Sequence, residues 1–393
     1  MKRREIGVSV YPDLRPLDEI RDYLKLAAKY GCTRVFSSMF SVEGTNEEII
    51  NYFRDFIKAA HEVGMKVSLD VNPNFMAKIG ADYDDISLFH EIGCDIIRMD
   101  MSYGKEKDLV LCDNPYGIQI QLNASFKAGE EAAFLKENGI GPDQLMFGHN
   151  FYPQRYTALK WKNFLDTNKA LEKYGYPIEA FVSSTAPNTH GVWDARDGLP
   201  TVEKLRDLPI DLQARILFGT GNVENLLIGN AYATEEEFKA LKGVLDEPRK
   251  MEDSPMYELY KKMGFPMKEM DEEKVLKVNL EKDISENERW MLMEFYPLSD
   301  MGDSSEWIWR SRNGRFLNKN KPIEPRVYEG EYFPVGSVLI VNDNYKHYAG
   351  EIQIARREIR NDGQRNIVAR LAPHEEEMLE MINDGDFVRF VEA

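Results

Sequence analysis

From its start to about residue 245 the chain alternates strand-like and helix-like runs, and it does so eight times. Strands are expected at 5–11 ("EIGVSVY"), 33–38, 66–71, 95–101, 117–123, 144–150, 178–184 and 223–229. Helix-like stretches separate them. In "PLDEIRDYLKLAAKYG" the apolar residues Ile20, Leu24, Ala27 and Ala28 fall on one face of a 3.6-residue period, and Gly31 ends the run. "TNEEIINYFRDFIKAAHEVG" opens on Thr45 or Asn46 as a cap, carries acids in its first turn and closes on Gly64. "GEEAAFLKENG" and "ATEEEFKALKG" follow the same pattern, whereas "GKEKDLVLCDNPYG" is at best a weak helix. Eight βα units in this length match a TIM (β/α)₈ barrel. A doubly wound open sheet is the rival, but it calls for a glycine-rich phosphate loop after its first strand, and "VYPDLRPLDE" is not one.

The strands carry a second signal. In "IIRMDMSY" Ile97, Met99 and Met101 alternate with Arg98, Asp100 and Ser102, so the strand has an apolar and a polar face. In a barrel the apolar set meets the helices and the polar set meets the axis. The third strand repeats this with Val67, Leu69 and Val71 outward and Ser68, Asp70 and Asn72 inward. The fifth sends Ile118, Ile120 and Leu122 outward and Gln119, Gln121 and Asn123 inward. A polar axis is costly unless its groups pair, and Arg98 is placed to offset the acids. Barrel active sites form at the C-terminal strand ends, so Asp70, Asn72, Asp100, Asn123 and Asn150 lead the candidates.

Around residue 245 the pattern changes. A charged connector rich in proline and methionine, with one short helix, spans 246–273. From 274 to 393 come short strand-like runs: "VLKVNLE", "RWMLMEFY", "GSVLIVN", "GEIQIARR", "NIVARL" and "DFVRFVE". One helix, "PHEEEMLEMIN", interrupts them. This reads as a small all-β barrel or sandwich. The division expected is therefore a barrel at 1–245, a connector, and a β domain at 274–393.

With 393 residues the chain is long enough for two domains, and its formal net charge of −17 argues against nucleic acid and anionic membrane as main partners. The three cysteines show no metal spacing and suit a reducing compartment. No run approaches the ~20 apolar residues needed to span a membrane, and the start lacks a signal-peptide apolar run. A cytoplasmic protein is expected.

Asp70 and Asp100 end consecutive strands, which lie ~4.8 Å apart in a sheet. Two acids facing one cleft can divide their roles, one keeping its proton because the other is charged. Glycoside hydrolysis uses such a pair. In "FGHNFYPQRYT", His149 is phased outward as a packing residue, while Tyr152 and Arg155 in the following loop suit a sugar ring and an anion. The loop "SSTAPNTHG" (183–191), with Ser184 and His190, lies where barrels often hold phosphate. In the second domain "RSRNGR" concentrates Arg310, Arg312 and Arg315 around an expected hairpin turn at Asn313-Gly314. No strand ends in a Schiff-base lysine, and neither H-x-H nor H-E-x-x-H occurs.

Taken together, "IGVSVYPDL", "SLDVNP", "IRMDMSYG", "LNAS", "HNFYPQRYTAL", "TAPNTHG", "LLIGNAYATEEE" and "HYAGEIQIA" resemble a bacterial family of 6-phospho-N-acetylmuramidases, long described as uncharacterised or outer-surface proteins. The resemblance implies a barrel followed by a cyclophilin-like β domain. It also implies hydrolysis of the β-1,4 bond in N-acetylmuramic acid 6-phosphate–N-acetylglucosamine during peptidoglycan turnover and recycling. Asp70 and Asp100 are then the catalytic pair, without cofactor or metal, in an order the residues do not assign. Tyr11, Asn72, Gln121, Asn123, Asn150, Tyr152, Arg155, Ser184 and His190 are expected around the phosphorylated amino-sugar disaccharide, with Arg310 and Arg312 reaching over from the β domain. In that picture the β domain helps close the site, and Trp307, Trp309 and Tyr348 offer faces to a sugar. Two other readings stay open: a divalent-metal sugar-phosphate isomerase or epimerase using Asp70, Asp100 and a histidine, and a carbohydrate-binding protein without catalysis.

Overall fold

The computed structural model describes residues 4–12, 14–39, 42–124, 127–246, 257–262, 274–294, 298–318 and 321–393. The chain divides into two compact units, Met1–Asp246 and Glu247–Ala393.

In the first unit eight parallel strands close into a barrel: β1 (Glu5–Ser9), β2 (Arg34–Ser38), β3 (Lys66–Val71), β4 (Ile96–Met99), β5 (Gln119–Asn123), β6 (Leu145–Gly148), β7 (Ile178–Val182) and β8 (Asn225–Ile228). β1 pairs with both β2 and β8, so no edge is left open. The helices are α1 (Leu17–Lys29), α2 (Asn46–Glu62), α3 (Pro73–Ile79), α4 (Ser87–Ile92), α5 (Lys105–Cys112), α6 (Ala128–Glu137), α7 (Trp161–Glu172), α8 (Ile210–Gly219) and α9 (Glu235–Asp246). α2 starts where its sequence says, through a capping box between Thr45 and Glu48. The expected weakness of the 105–112 segment is corrected. Asp108 reaches back to accept the backbone N–H groups of Tyr103 and Gly104, which anchors the start of α5.

The outward faces of the strands form the apolar layer against the helices. Val67, Leu69, Val71, Ile97, Met99, Ile120 and Leu122 are all buried. β4 ends at Met99, however, so the alternation stops there. Met101 is exposed rather than packed on a helix, and Ser102 turns from the axis to donate to Asp108 on α5. The Gln119 side chain likewise leaves the axis for the Pro142 carbonyl, at 2.8 Å.

Inside the barrel the central charged groups pair with one another. Arg34 donates to Glu179 at 3.2 Å, and Gln121 donates to the other Glu179 oxygen at 2.7 Å. Two inward glycines make room for this filling. A Cβ on Gly148 would lie 2.5 Å from the Gln121 amide nitrogen, and one on Gly7 would lie 2.5 Å from the Arg34 carbonyl oxygen and 2.6 Å from Leu227. Burial of a charged pair is tolerated when the remaining hydrogen-bonding positions are met, and Gln121 meets one of them.

The connector lies largely outside the described residues, apart from α10 (Tyr257–Lys262). The rest of the second unit is built on a seven-stranded sheet. It comprises β9 (Lys274–Leu280), β10 (Leu298–Ser299), β11 (Ile308–Ser311), β13 (Ser337–Val341), β14 (Ile352–Ala355), β16 (Arg365–Leu371) and β17 (Phe387–Glu392), in the order β10-β17-β9-β16-β13-β14-β11. β12 (Tyr332–Phe333) and β15 (Ile359–Arg360) make a separate pair. Two expectations are overturned here. "RWMLMEFY" contributes residues 289–293 to a helix, α11 (Glu286–Met293), because Ser285 and Glu288 form a capping box that starts a helical turn. Asn313-Gly314 opens a short helix, α12 (Asn313–Leu317), instead of a hairpin; a Cβ on Gly314 would lie 2.1 Å from the Gly350 carbonyl oxygen. The 373–383 segment makes a 3₁₀ helix over Glu375–Met381.

Candidate active site

The C-terminal ends of β3 to β6 bring together Asp70, Arg98, Asp100, Asn123 and Asn150. The register places Asp70 beside Arg98 on the neighbouring strand. Arg98 Nη1 donates to Asp70 Oδ1 at 2.5 Å and stands 3.9 Å from Asp100 Oδ1. Its Nη2 donates to Asn150 Oδ1, which also accepts from Asn123 Nδ2 at 3.0 Å. One guanidinium therefore ties three strand ends together. The two acids differ in setting. The Asp70 side chain is 6% exposed and that of Asp100 is 41% exposed. Burial pushes the Asp70 carboxyl up to about 6, with a further push from Asp100, against the lowering by Arg98. Among the described residues only Arg98 bonds this carboxyl, at Oδ1, which leaves Oδ2 for a proton.

The opposite side of the mouth is aromatic. Tyr11, Phe36 and Phe181 are buried with Val192, Leu199 and Leu227, and Phe151 and Tyr232 pack onto them. Phe36, Phe151 and Phe181 meet edge to face at 5.2 to 5.9 Å. The Arg98 guanidinium lies 5.9 Å from the Phe36 ring centre, at the seam between the charged and the aromatic halves. Such a division suits a ligand with one polar edge and one apolar face, as a sugar ring has.

The other expected residues fall into several groups. Tyr152 is half-buried close to Arg98; burial raises its phenol pKa and Arg98 opposes the rise. Tyr11 spends its hydroxyl on the Gly229 carbonyl at 2.5 Å. Asn72 caps α3 by accepting from Phe75 N–H at 2.9 Å. Gln121 is fully buried on Glu179. Arg155 makes a two-pronged pair with Asp207 at 2.6 and 3.1 Å. In the loop after β7, Glu237 takes the Ser184 hydroxyl at 2.7 Å and the Thr185 N–H at 3.1 Å, so a protein carboxylate sits on groups expected for an anion. His190 is buried beside Tyr11 and Tyr232.

His149 packs outward on Phe164 and bonds Asn168 at 2.7 Å; burial lowers its pKa to about 4. Arg310 and Arg312 belong to the second unit, where Arg310 pairs with Glu351 at 2.8 Å and Arg312 with Asp303. Trp309 is fully buried in the core of that unit, so it offers no face to a sugar; Trp307 is half exposed.

One cluster was not foreseen. Ser102, just beyond Asp100, donates its one hydroxyl hydrogen to Asp108, with a Glu131 oxygen of α6 lying 3.1 Å away. Burial, then the neighbouring Asp108, push Glu131 up to about 7. Its sequence signal, an acid in the first turn of α6, reads equally well as a helix-dipole complement. Among the described residues no group of three or more His, Cys, Asp or Glu side chains is placed to hold a metal ion. No described helix is long and apolar enough to cross a membrane.

Two family models match almost end to end: 6-phospho-N-acetylmuramidase, N-terminal, over residues 6–243, and 6-phospho-N-acetylmuramidase, C-terminal, over residues 274–391. Among solved structures, an uncharacterised protein from B. cereus is 29% identical, with a TM-score of 0.82, and the match covers 99% of this chain and 100% of that one. A conserved Enterococcus faecalis protein of unknown function is 23% identical, with a TM-score of 0.64 and coverage of 99% and 96%; it shares the fold. Among curated proteins none matches the chain.

Proposed function

Because the chain belongs to the 6-phospho-N-acetylmuramidase family, we propose that it hydrolyses the β-1,4 bond of N-acetylmuramic acid 6-phosphate–N-acetylglucosamine, in the cytoplasm, as a step of peptidoglycan recycling. The observation that carries this reading is the Asp70–Arg98–Asp100 cluster at the barrel mouth. A glycosidase needs one carboxyl that holds a proton near neutral pH and one carboxylate beside it. Asp70, pushed up to about 6, fits the first role, and the more exposed Asp100 fits the second.

The mechanism follows from these positions. Asp70 protonates the leaving oxygen of the N-acetylglucosamine as Asp100, or the substrate's own N-acetyl oxygen held by Asp100, bonds to the anomeric carbon and the glycosidic bond breaks; the Asp70 carboxylate then takes a proton from a water that displaces this nucleophile from the same carbon. Both acids approach one Arg98 nitrogen, at 2.5 and 3.9 Å, so these two oxygens are no further apart than those distances laid end to end. Retention is the course proposed, since Asp100 or the N-acetyl oxygen acts as the nucleophile. Asn150 holds Arg98 and is itself held by Asn123, and the aromatic wall excludes water from the developing charge. Tyr152 and Arg155, on the loop after β6, are assigned to the sugar and its phosphate, with Arg155 exchanging Asp207 for the substrate oxygens. The β domain is read as cyclophilin-like on the family resemblance.

The test is to incubate purified protein with the phosphorylated disaccharide and its unphosphorylated analogue and to identify products by mass spectrometry. Release of N-acetylglucosamine from the phosphorylated compound, and little from the other, is expected. An intact phosphorylated substrate overturns the reading. Nothing in the geometry favours the metal-dependent isomerase, since no described histidine joins Asp70 and Asp100.

A further inference from the structure

The second unit has a cavity of its own, about 270 Å³ in volume, between β11, β14 and the turn that precedes β14. It approaches the lower end of the ~300–1,000 Å³ found for small-molecule sites and has room for one ring-sized ligand. Glu351 and Gln353, 1% and 6% exposed, lie in its wall. They are linked in series: Arg310 donates to Glu351 at 2.8 Å, Gln353 donates to the other Glu351 oxygen at 2.8 Å, and Arg365 donates to Gln353 at 2.8 Å. Tyr345 and Tyr348 complete the lining, with ring centres 4.8 Å apart.

The charge arrangement decides what such a cavity accepts. Each charged side chain of the lining already has a partner of opposite sign: Glu351 takes Arg310 and Arg315, Asp303 takes Arg312, and Arg365 takes Asp362. No unpaired cation remains for a phosphate, and no unpaired acid for an ammonium group. What remains is a dense mixture of donors and acceptors beside aromatic rings. Vicinal hydroxyls, which both donate and accept, meet that mixture without adding charge.

The geometry points to this cavity as a second binding site, separate in its residues from the Asp70–Asp100 cluster, for an uncharged polyhydroxylated ring such as a pyranose. The inference does not rest on the glycosidase reading. Its test is saturation-transfer NMR on the full-length protein with N-acetylglucosamine, with inorganic phosphate and glycine as anionic and zwitterionic comparators. Tyr345→Ala and Gln364→Ala change partly exposed lining residues, and each is expected to weaken N-acetylglucosamine binding at least tenfold. Asp100→Asn should leave binding at this site intact. Loss of binding in Asp100→Asn alone, unchanged binding in both cavity variants, or competition by phosphate or glycine overturns the proposal.

Discussion

Arg98 donates one nitrogen to Asp70 at 2.5 Å and the other to Asn150, so a single buried guanidinium fixes the acid whose protonation the proposed reaction needs. It also restrains that acid's pKa, which burial alone would drive above the present value of about 6. Arg98→Met removes the restraint. The alkaline limb of kcat/KM should start near pH 6 in the wild type and move up by at least one unit in this variant. Arg98→Lys, which keeps the charge, should stay near the wild type. A pH–rate series on the three proteins checks this, and identical limbs would separate Asp70 from the proton transfer.

Asp70→Asn and Asp100→Asn should each lower turnover by ~10²–10⁴, the usual contribution of general acid–base catalysis. Their stabilities should differ. Asp70→Asn still offers Arg98 an amide oxygen and removes a carboxyl whose charged form is costly to bury, whereas Asp100 is 41% exposed. Denaturant titration should therefore show the Asp70 variant gaining stability relative to the wild type as pH rises from 4 to 6, with no such gain for the Asp100 variant. Full activity in both variants would move the chemistry elsewhere.

Two buried groups make opposite contributions to acid stability. Asp70 ionises near 6 in the folded protein against an ordinary 3.8, so the folded state holds the proton more tightly. Its contribution favours folding below pH 4 and fades as pH rises to 6, by about 3 kcal/mol. His149 falls from 6.5 to about 4 on folding, so its contribution is present above pH 6.5 and is lost as pH falls to 4. His149→Gln, which can still bond Asn168, should be less sensitive to acid than the wild type between pH 6.5 and 4. Parallel stability curves for the two proteins would contradict the assignment.

The interior glycines should be unequal. Gly7→Ala sets a Cβ against the Arg34 backbone oxygen, which cannot swing aside, whereas Gly148→Ala meets the amide end of Gln121. Overpacking typically costs ~1–3 kcal/mol, and Gly7→Ala should lie at or beyond the top of that range. Thermal melts of the two variants give the ranking, and a more stable Gly7→Ala would refute the packing described.

Arg155→Gln should lower kcat/KM on the phosphorylated disaccharide more than on the unphosphorylated one, because charge-assisted hydrogen bonds are roughly twice as strong as neutral ones. Equal losses would assign the phosphate to other residues.

The barrel was legible because its signal is repeated: each strand alternates faces, and the inward Asp70 and Arg98 of the third and fourth strands follow from period two alone. The pairing of Arg98 with Asp70 could be suspected from that alternation. The link to Asn150, two strands away, depends on closure of the sheet, and sequence spacing does not encode it. The alternation misled where it outran the strand, as at Met101 and Ser102. The second unit was harder because its elements are short. "RWMLMEFY" has the composition of a strand, and only the Ser285–Glu288 box marks it as a helix. Glu237 on the Ser184 loop was hidden for another reason: its partner lies 53 positions away.

The most direct measurement follows the phosphorylated disaccharide by proton NMR while the protein acts on it. The account predicts cleavage in which the N-acetylmuramic acid 6-phosphate appears first as its β-anomer, as retention requires. Absence of cleavage, or the α-anomer appearing first, would contradict it.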